Sequence, residues 1–392
     1  MKKVRLKEIC DLQNGYAFKS TDYIEKSNTL NCRMSNIRPG AVFDIEYSPK
    51  YLPDEFVKKY EEFILKDGDI VIAMTDLADD PKILGVPAEV DTKGKNVLLN
   101  QRVGKLIIKN KDKIYYSYLK YVLSNPANKE YYKKFAGGGL QLNISKKDIL
   151  NLEIPIYEIN KQMEISNKLN KIQEIINIRK KQIEQLDELI KSQFVEMFGD
   201  IKNDDFDNSQ IKDLVDTNII KTKKKFKKND VIKYIDISSI DNIKNEIIGF
   251  TEYKIGDEPS RAQQCLVKGD ILISTVRPNL KNIAVNDYND ENIIGSSGFC
   301  VLRPNKCELE YLLAVVKSEK FTNDMVAKTT GANYPAIHST DILNYEIAVP
   351  PIELQNQFAK IVKQIDKQKS EIQKSLEETQ KLQDSLMNKY FG

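Results

Sequence analysis

A chain of 392 residues is too long for one small core and points to two or more domains, while 41% hydrophobic and 30% charged residues describe an ordinary globular protein with charge-rich helices. A net charge of +3 is close to neutral, so nucleic-acid binding would have to come from local basic surfaces. No apolar run reaches the roughly 18 residues of a membrane span, MKKVRLKEIC lacks a signal-peptide core, and five scattered Cys without a CxxC fit a reducing cytoplasm with neither disulfide framework nor zinc site.

In chain order, Leu6-Lys7-Glu8-Ile9 opens a first globular stretch. FILKDGDIVIAM (63–74) reads as a turn at Gly68-Asp69 followed by a buried strand, because a short Ile/Val run follows a turn pair. VGKLIIK (103–109) reads as a second strand, and DKIYYSYLKYVLSN (112–125) as a helix with apolar residues three and four apart. A Gly-rich turn, GGGLQLN (137–143), precedes a short helix starting at Ser145. IPIYE (154–158) then feeds a long helix from Gln162 to Phe198 that contains neither Gly nor Pro.

The same order recurs. Ile211-Lys212-Asp213-Leu214, CLVKGDILIST (265–275), GFCVLRP (298–304), KCELEYLLAVVKSE (306–319), GANYPAI (331–337), Ser339 and IAVPPIE (347–353) lead to a second long helix from Gln355. ISKKDILNLEI (144–154) matches IHSTDILNYEI (337–347) at seven of eleven positions, and the helices align at an offset of 193. Such self-similarity is the mark of a tandem duplication.

Each long helix holds a seven-residue apolar repeat for about five heptads, which argues for a coiled coil. In the first helix the seam is Leu169, Ile172, Ile176, Ile183, Leu186 and Ile190; in the second it is Val362, Ile365, Ile372, Leu376 and Leu386. A stripe of this kind needs a partner, and the repeat itself supplies one. Ile175, Ile178 and Leu189 broaden the stripe, either for packing under the globular stretches or for a further partner. The expected fold is therefore α+β. Two tandem mixed α/β domains, 1–155 and 200–349, are separated by two long helices, 156–199 and 350–392, paired as a coiled coil within an internal repeat.

Catalytic motifs are missing from the sequence. It has no phosphate loop, no GxGxxG and no HExxH, and the single His338 aligns with Ser145, which marks a turn residue. Asp79-Asp80 and Asp204-Asp205 have no partner in the other copy and read as solvated loops. The repeated Gly-Asp reads as a tight turn with a side-chain cap. What remains is a binding surface. KTKKKFKK (221–228) places Lys223, Lys224, Lys225, Lys227 and Lys228 around Phe226, a pattern that grips phosphates. Arg277, Asn279 and Lys281 follow a predicted strand, and Thr75 and Lys82 lie in the equivalent loop of the first copy. Gln141, Asn143, Asn333 and Tyr334 lie in the Gly-rich loops, and Lys19, Arg33, Gln101 and Arg102 complete the candidate DNA contacts. Arg suits guanine, and Asn or Gln suits adenine.

Two divergent units joined by two similar helices, each reached through an I-P-[LIV]-P-P-L-x-x-Q-like segment, resemble the specificity subunits of type I restriction-modification systems. Ile347 to Gln355 fits that segment, whereas Ile154 to Gln162 lacks the double Pro but keeps the Gln in register. The resemblance covers the whole chain. It implies a non-catalytic cytoplasmic subunit whose two target-recognition domains each read half of a split, asymmetric duplex target in the major groove, with the helices packed as an antiparallel coiled coil, in a pseudo-twofold repeat, as spacer. It also implies two methyltransferase subunits as partners, with a restriction subunit as a further one, and no membrane. S-adenosylmethionine would sit in the methyltransferase, ATP and Mg in the restriction subunit, and no cofactor or metal in this chain. The competing reading is a structural adaptor, two modules that bind protein partners without DNA specificity.

Overall fold

The computed structural model describes residues 2–79, 81–110, 112–135, 140–203, 205–242, 244–331 and 335–392. The chain forms two compact units, Met1–Arg179 with Ser375–Gly392, and Lys180–Lys374.

In the first unit an antiparallel sheet runs in the order Pro87–Glu89, Ile70–Ala73, Val103–Ile108, Cys10–Asn14. A second sheet runs Tyr51–Leu52, Thr29–Cys32, Asn96–Leu99, Ile64–Leu65, and its central pair is parallel. The strand Ile70–Ala73 explains how the layers assemble. Ile70 and Ile72 face a core with the helix Tyr116–Leu123 and Ile165 and Leu169 of the long helix, whereas Val71 and Ala73 face Leu30, Val97 and Leu99. Side chains alternate across a strand, so a strand covered on both faces must be apolar throughout. That is why the sequence shows a continuous run there.

The second unit repeats this layout strand for strand. Ile283–Val285, Ile271–Ser274, Phe299–Pro304, Val215–Asp216 form one sheet. Thr251–Lys254, Val231–Ile235, Ile293–Ser296, Ala262–Cys265 form the other, again with a parallel central pair. Ile271 and Ile273 face the helical side and Leu272 the inter-sheet side, as in the first unit. The Gly-Asp turns are also duplicated. Gly68 and Gly269 take φ of 85° and 89°, which favours Gly, and Asp69 and Asp270 each accept a hydrogen bond from the backbone N three residues earlier, both at 2.8 Å.

The long helices span Ile159–Phe198 and Ile352–Phe391, 40 residues each, or about 60 Å at ~1.5 Å per residue. Within the first unit, Gln383 Nε2 donates to Gln173 Oε1 at 2.9 Å, and Arg179 donates to Ser375 O at 2.6 Å and to Thr379 Oγ1. Within the second, Lys369 Nζ meets Asp187 Oδ1 at 2.5 Å and the Phe194 and Phe358 rings lie 5.7 Å apart. Numbering falls on one helix as it rises on the other. The pairing is antiparallel in both units.

Of the predicted seam, Leu169, Ile172, Ile176, Val362, Ile365 and Leu376 are buried. Ile183, Leu186, Ile190, Ile372 and Leu386 are half-buried, as expected where two helices alone cover a stripe. Ile175, Ile178 and Leu189 stay 42%, 50% and 43% exposed, so packing within the chain does not account for them. All five cysteines are free and buried, and burial pushes the Cys10, Cys32, Cys300 and Cys307 thiols up to about 12. No helix among the described residues is long and apolar enough to cross a membrane.

Candidate nucleic-acid interface

The lysine run of the second unit is held from beneath. Ile220 O accepts from Cys265 N at 2.9 Å, Thr222 is buried, and Thr222–Lys225 makes one helical turn. Phe226 is the other anchor: it packs half-buried against the cluster containing Ile232 and Tyr234, so its ring supports the lysines instead of facing outward. Lys225 Nζ donates to Glu291 O at 2.7 Å. Lys223, Lys224, Lys227 and Lys228 project as exposed side chains from this short, anchored segment. Four ammonium groups on a fixed backbone form a surface suited to a phosphate chain.

The loops after the central strand and before the short helix are brought together in each unit. In the second, Arg277 N donates to Pro335 O at 2.8 Å and Val276 bridges Ala336. Arg277 and Lys281 both take φ of 51° around the turn Pro278–Leu280, a conformation that costs a non-Gly residue about 1 kcal/mol or more. The surroundings hold it: Lys281 Nζ meets Glu319 Oε1 at 2.5 Å and Asn242 Nδ2 donates to Leu280 O at 3.3 Å. Arg277 and Asn279 are exposed on this rigid loop. Asn333 and Tyr334 lie outside the described residues.

In the first unit Thr75–Leu77 pairs with Gln141–Asn143. Thr75 is buried and its hydroxyl donates to Asn143 Oδ1 at 2.8 Å, so its side chain braces the loop and is not on the surface. Asp76 is buried as well and accepts from Leu77, Ile83 and Leu84 N. Lys82, Asn143, Gln101, Arg102 and Lys19 are exposed, and Gln141 is half-buried. Arg33 is half-buried against its own sheet, with Nη2 donating to Ser48 O at 2.5 Å. Loop residues look alike in a sequence whether they brace or contact. The structure separates Thr75 and Arg33 from the exposed set.

Two duplicated pairs that align in the sequence have a role the sequence reading did not assign. Gln162 and Gln355, at the foot of each long helix, are fully buried. Gln162 Oε1 accepts from Tyr115 N at 2.8 Å while Nε2 donates to Lys113 O and Tyr157 O; Gln355 Oε1 accepts from Glu308 N at 2.9 Å and Nε2 donates to Pro350 O at 2.7 Å. Tyr118 and Tyr311 hydroxyls donate to Pro155 O and Ala348 O at 2.9 and 2.6 Å, and their rings meet Phe391 and Phe198 at 5.4 and 5.0 Å. Each globular body is thereby fastened to the start of one long helix and the end of the other. The shared offset of 193 was the signal available for both pairs.

A sequence profile described as the type I restriction modification DNA specificity domain matches residues 1–188 and 203–382. The chain belongs to that family. Both copies are covered, so the chain carries two such domains in tandem. The MjaVIII type I restriction enzyme specificity subunit of Methanocaldococcus jannaschii is 32% identical over 190 residues, 48% of this chain and 43% of that protein. The putative MjaX specificity subunit of the same organism is 28% identical over 198 residues, again 48% of this chain and 46% of that protein. The match thus spans less than half the length of either relative. The MjaIX specificity subunit is 26% identical over 307 residues, 71% of this chain and 69% of that protein. Among solved structures, the type I S subunit from M. genitalium superposes over 100% of this chain and 96% of its own, with TM-score 0.57 and 16% identity. That likeness establishes a shared fold for the specificity domains.

Proposed function

We propose that this chain is the DNA-recognition subunit of a type I restriction-modification complex, without catalysis of its own. The observation that carries the reading is the duplication: two specificity domains with one strand order, braced alike by Gln162 and Gln355, present unlike surface loops. Equal frames with unequal contact residues suit an asymmetric, two-part target, each domain reading one half in the major groove. The antiparallel helices set the unread spacer, and the exposed Ile175, Ile178 and Leu189 support a face for two methyltransferase subunits. The methyl donor S-adenosylmethionine belongs to those partners. ATP and Mg belong to a restriction subunit where one joins. The complex acts on cytoplasmic DNA.

Modified-base sequencing tests this directly. DNA from cells expressing the chain with its neighbouring methyltransferase should carry methyladenine at a split, asymmetric motif that is unmethylated with the methyltransferase alone. Co-purification of the two proteins with no new methylation would overturn the recognition role.

A further inference from the structure

The first unit carries a cluster of five rings around an exposed Tyr16, whereas the rings of the second unit's cluster, Phe226, Tyr234 and Tyr253, are buried or half-buried. The Tyr16 ring lies 4.4 Å from Tyr60, 5.0 Å from Phe18 and 5.7 Å from Phe63, and Phe56 closes the group 5.1 Å from Tyr60. Phe18 is buried with Leu52 and Leu98, whereas Tyr16 is 36% exposed at the rim. Its backbone is fixed. A Cβ on Gly15 would stand 2.3 Å from Asn100 O, so only Gly lets the chain pass so close to the strand end. Tyr16 N donates to Leu99 O at 2.9 Å and Gln101 N donates to Tyr16 O at 3.0 Å.

The Tyr16 backbone is therefore tied to that of Gln101, at the exposed corner Gln101-Arg102, and its ring lies on the turn that holds Lys59, whose Nζ stands 5.2 Å from the Tyr60 ring centre. Exposed Lys19 lies three residues along the chain. Glu61 and Glu62 are also exposed on that turn, and Asp22 accepts from Lys19 N at 2.7 Å. The local charge is mixed, so the rings rather than cations distinguish this surface. In the second unit the chain leaving the equivalent strand reads Thr217-Asn218-Ile219-Ile220-Lys221, with no ring before the lysine run.

We propose that Tyr16, backed by Tyr60 and Phe18, is a stacking platform for a DNA base lifted out of the duplex. The proposal rests on the DNA-recognition reading and adds to it that the two domains hold DNA by different chemistry. A ring already held in place loses little side-chain freedom on stacking, and each base stacked on such a ring strengthens binding without releasing counterions.

The experiment measures binding of the full chain to a fluorescein-labelled duplex with a short mismatched bubble and to its fully paired counterpart, at several salt concentrations. The parent should prefer the bubble duplex. Tyr16→Ala should weaken bubble binding about tenfold while leaving paired-duplex affinity and the salt slope unchanged, and Tyr16→Phe should bind as the parent does. Tyr16→Leu keeps apolar packing against Tyr60 and Phe18 but lacks the ring face, so it should lose the preference while unfolding near the parent temperature. Parental behaviour in Tyr16→Leu, or an equal loss on both duplexes, would overturn the platform. A parent that binds both duplexes equally overturns the stacking alone; one that binds neither overturns the recognition reading with it.

Discussion

Gln355 shows how a single polar side chain fixes a junction. Its amide satisfies Glu308 N and Pro350 O inside a fully buried site. Gln355→Ala would leave both backbone groups unpaired away from water, which costs about 2 kcal/mol. The expected result is a lower urea midpoint, with the exposed neighbour Asn356→Ala shifting stability by less than about 0.5 kcal/mol. Equal midpoints for the two variants would show that water replaces the amide. On the proposed reading the lysines of the second unit act by charge and not by packing. Replacing Lys223, Lys224, Lys227 and Lys228 by Gln should flatten the plot of log affinity against log salt by about 0.9 for each lysine that meets a phosphate. It should leave the methylated motif unchanged, because phosphate contacts carry no direct sequence information. A shifted motif with an unchanged slope would instead place these residues on base edges.

At the scale of elements, legibility followed the strength of local periodicity. The strand Ile70–Ala73 and the heptad helices were readable because burial on both faces, or along one stripe, forces an apolar pattern. The structure starts the helices at Ile159 and Ile352, three residues before the Gln taken as their first, since a helix can begin before its apolar repeat does. Contact loops were not separable by pattern. Thr75 and Lys82 share a polar stretch, yet pairing with Gln141–Asn143 buries one and leaves the other exposed. The Tyr16 cluster was invisible for another reason, since residues 16, 18, 56, 60 and 63 meet only once the sheets form. The proposed spacer role belongs to the helices. Deleting residues 177–183 and 370–376, one heptad from each at matching positions, keeps the seam in phase. It shortens each helix by about 10 Å, or about three base pairs. Methylated motifs should keep both half-sites and lose spacer. Altered half-sites with a constant spacer would sink the ruler.

The duplication makes a prediction about the whole molecule that no single residue carries. Both domains meet their helices through the same fastenings, the buried Gln and the Tyr hydroxyl on the lead-in carbonyl, at positions 193 apart. A domain placed in either position should therefore seat on an equivalent frame. Duplex DNA has its own twofold, so on the proposed reading one half-site would be read from one strand and the other from the complement. Exchanging residues 1–155 with 200–349 would return the same pair of readers, turned end for end. The exchanged chain, expressed with the methyltransferase, should methylate the parental motif with the parental spacer, because reading a duplex from its other strand describes the same site. A new motif with the half-sites in another order or orientation would mean that the two positions are not equivalent. The fastenings would then hold two similar domains in unlike frames. Loss of methylation in an exchanged chain that folds and co-purifies would locate the asymmetry in the partner-binding face instead.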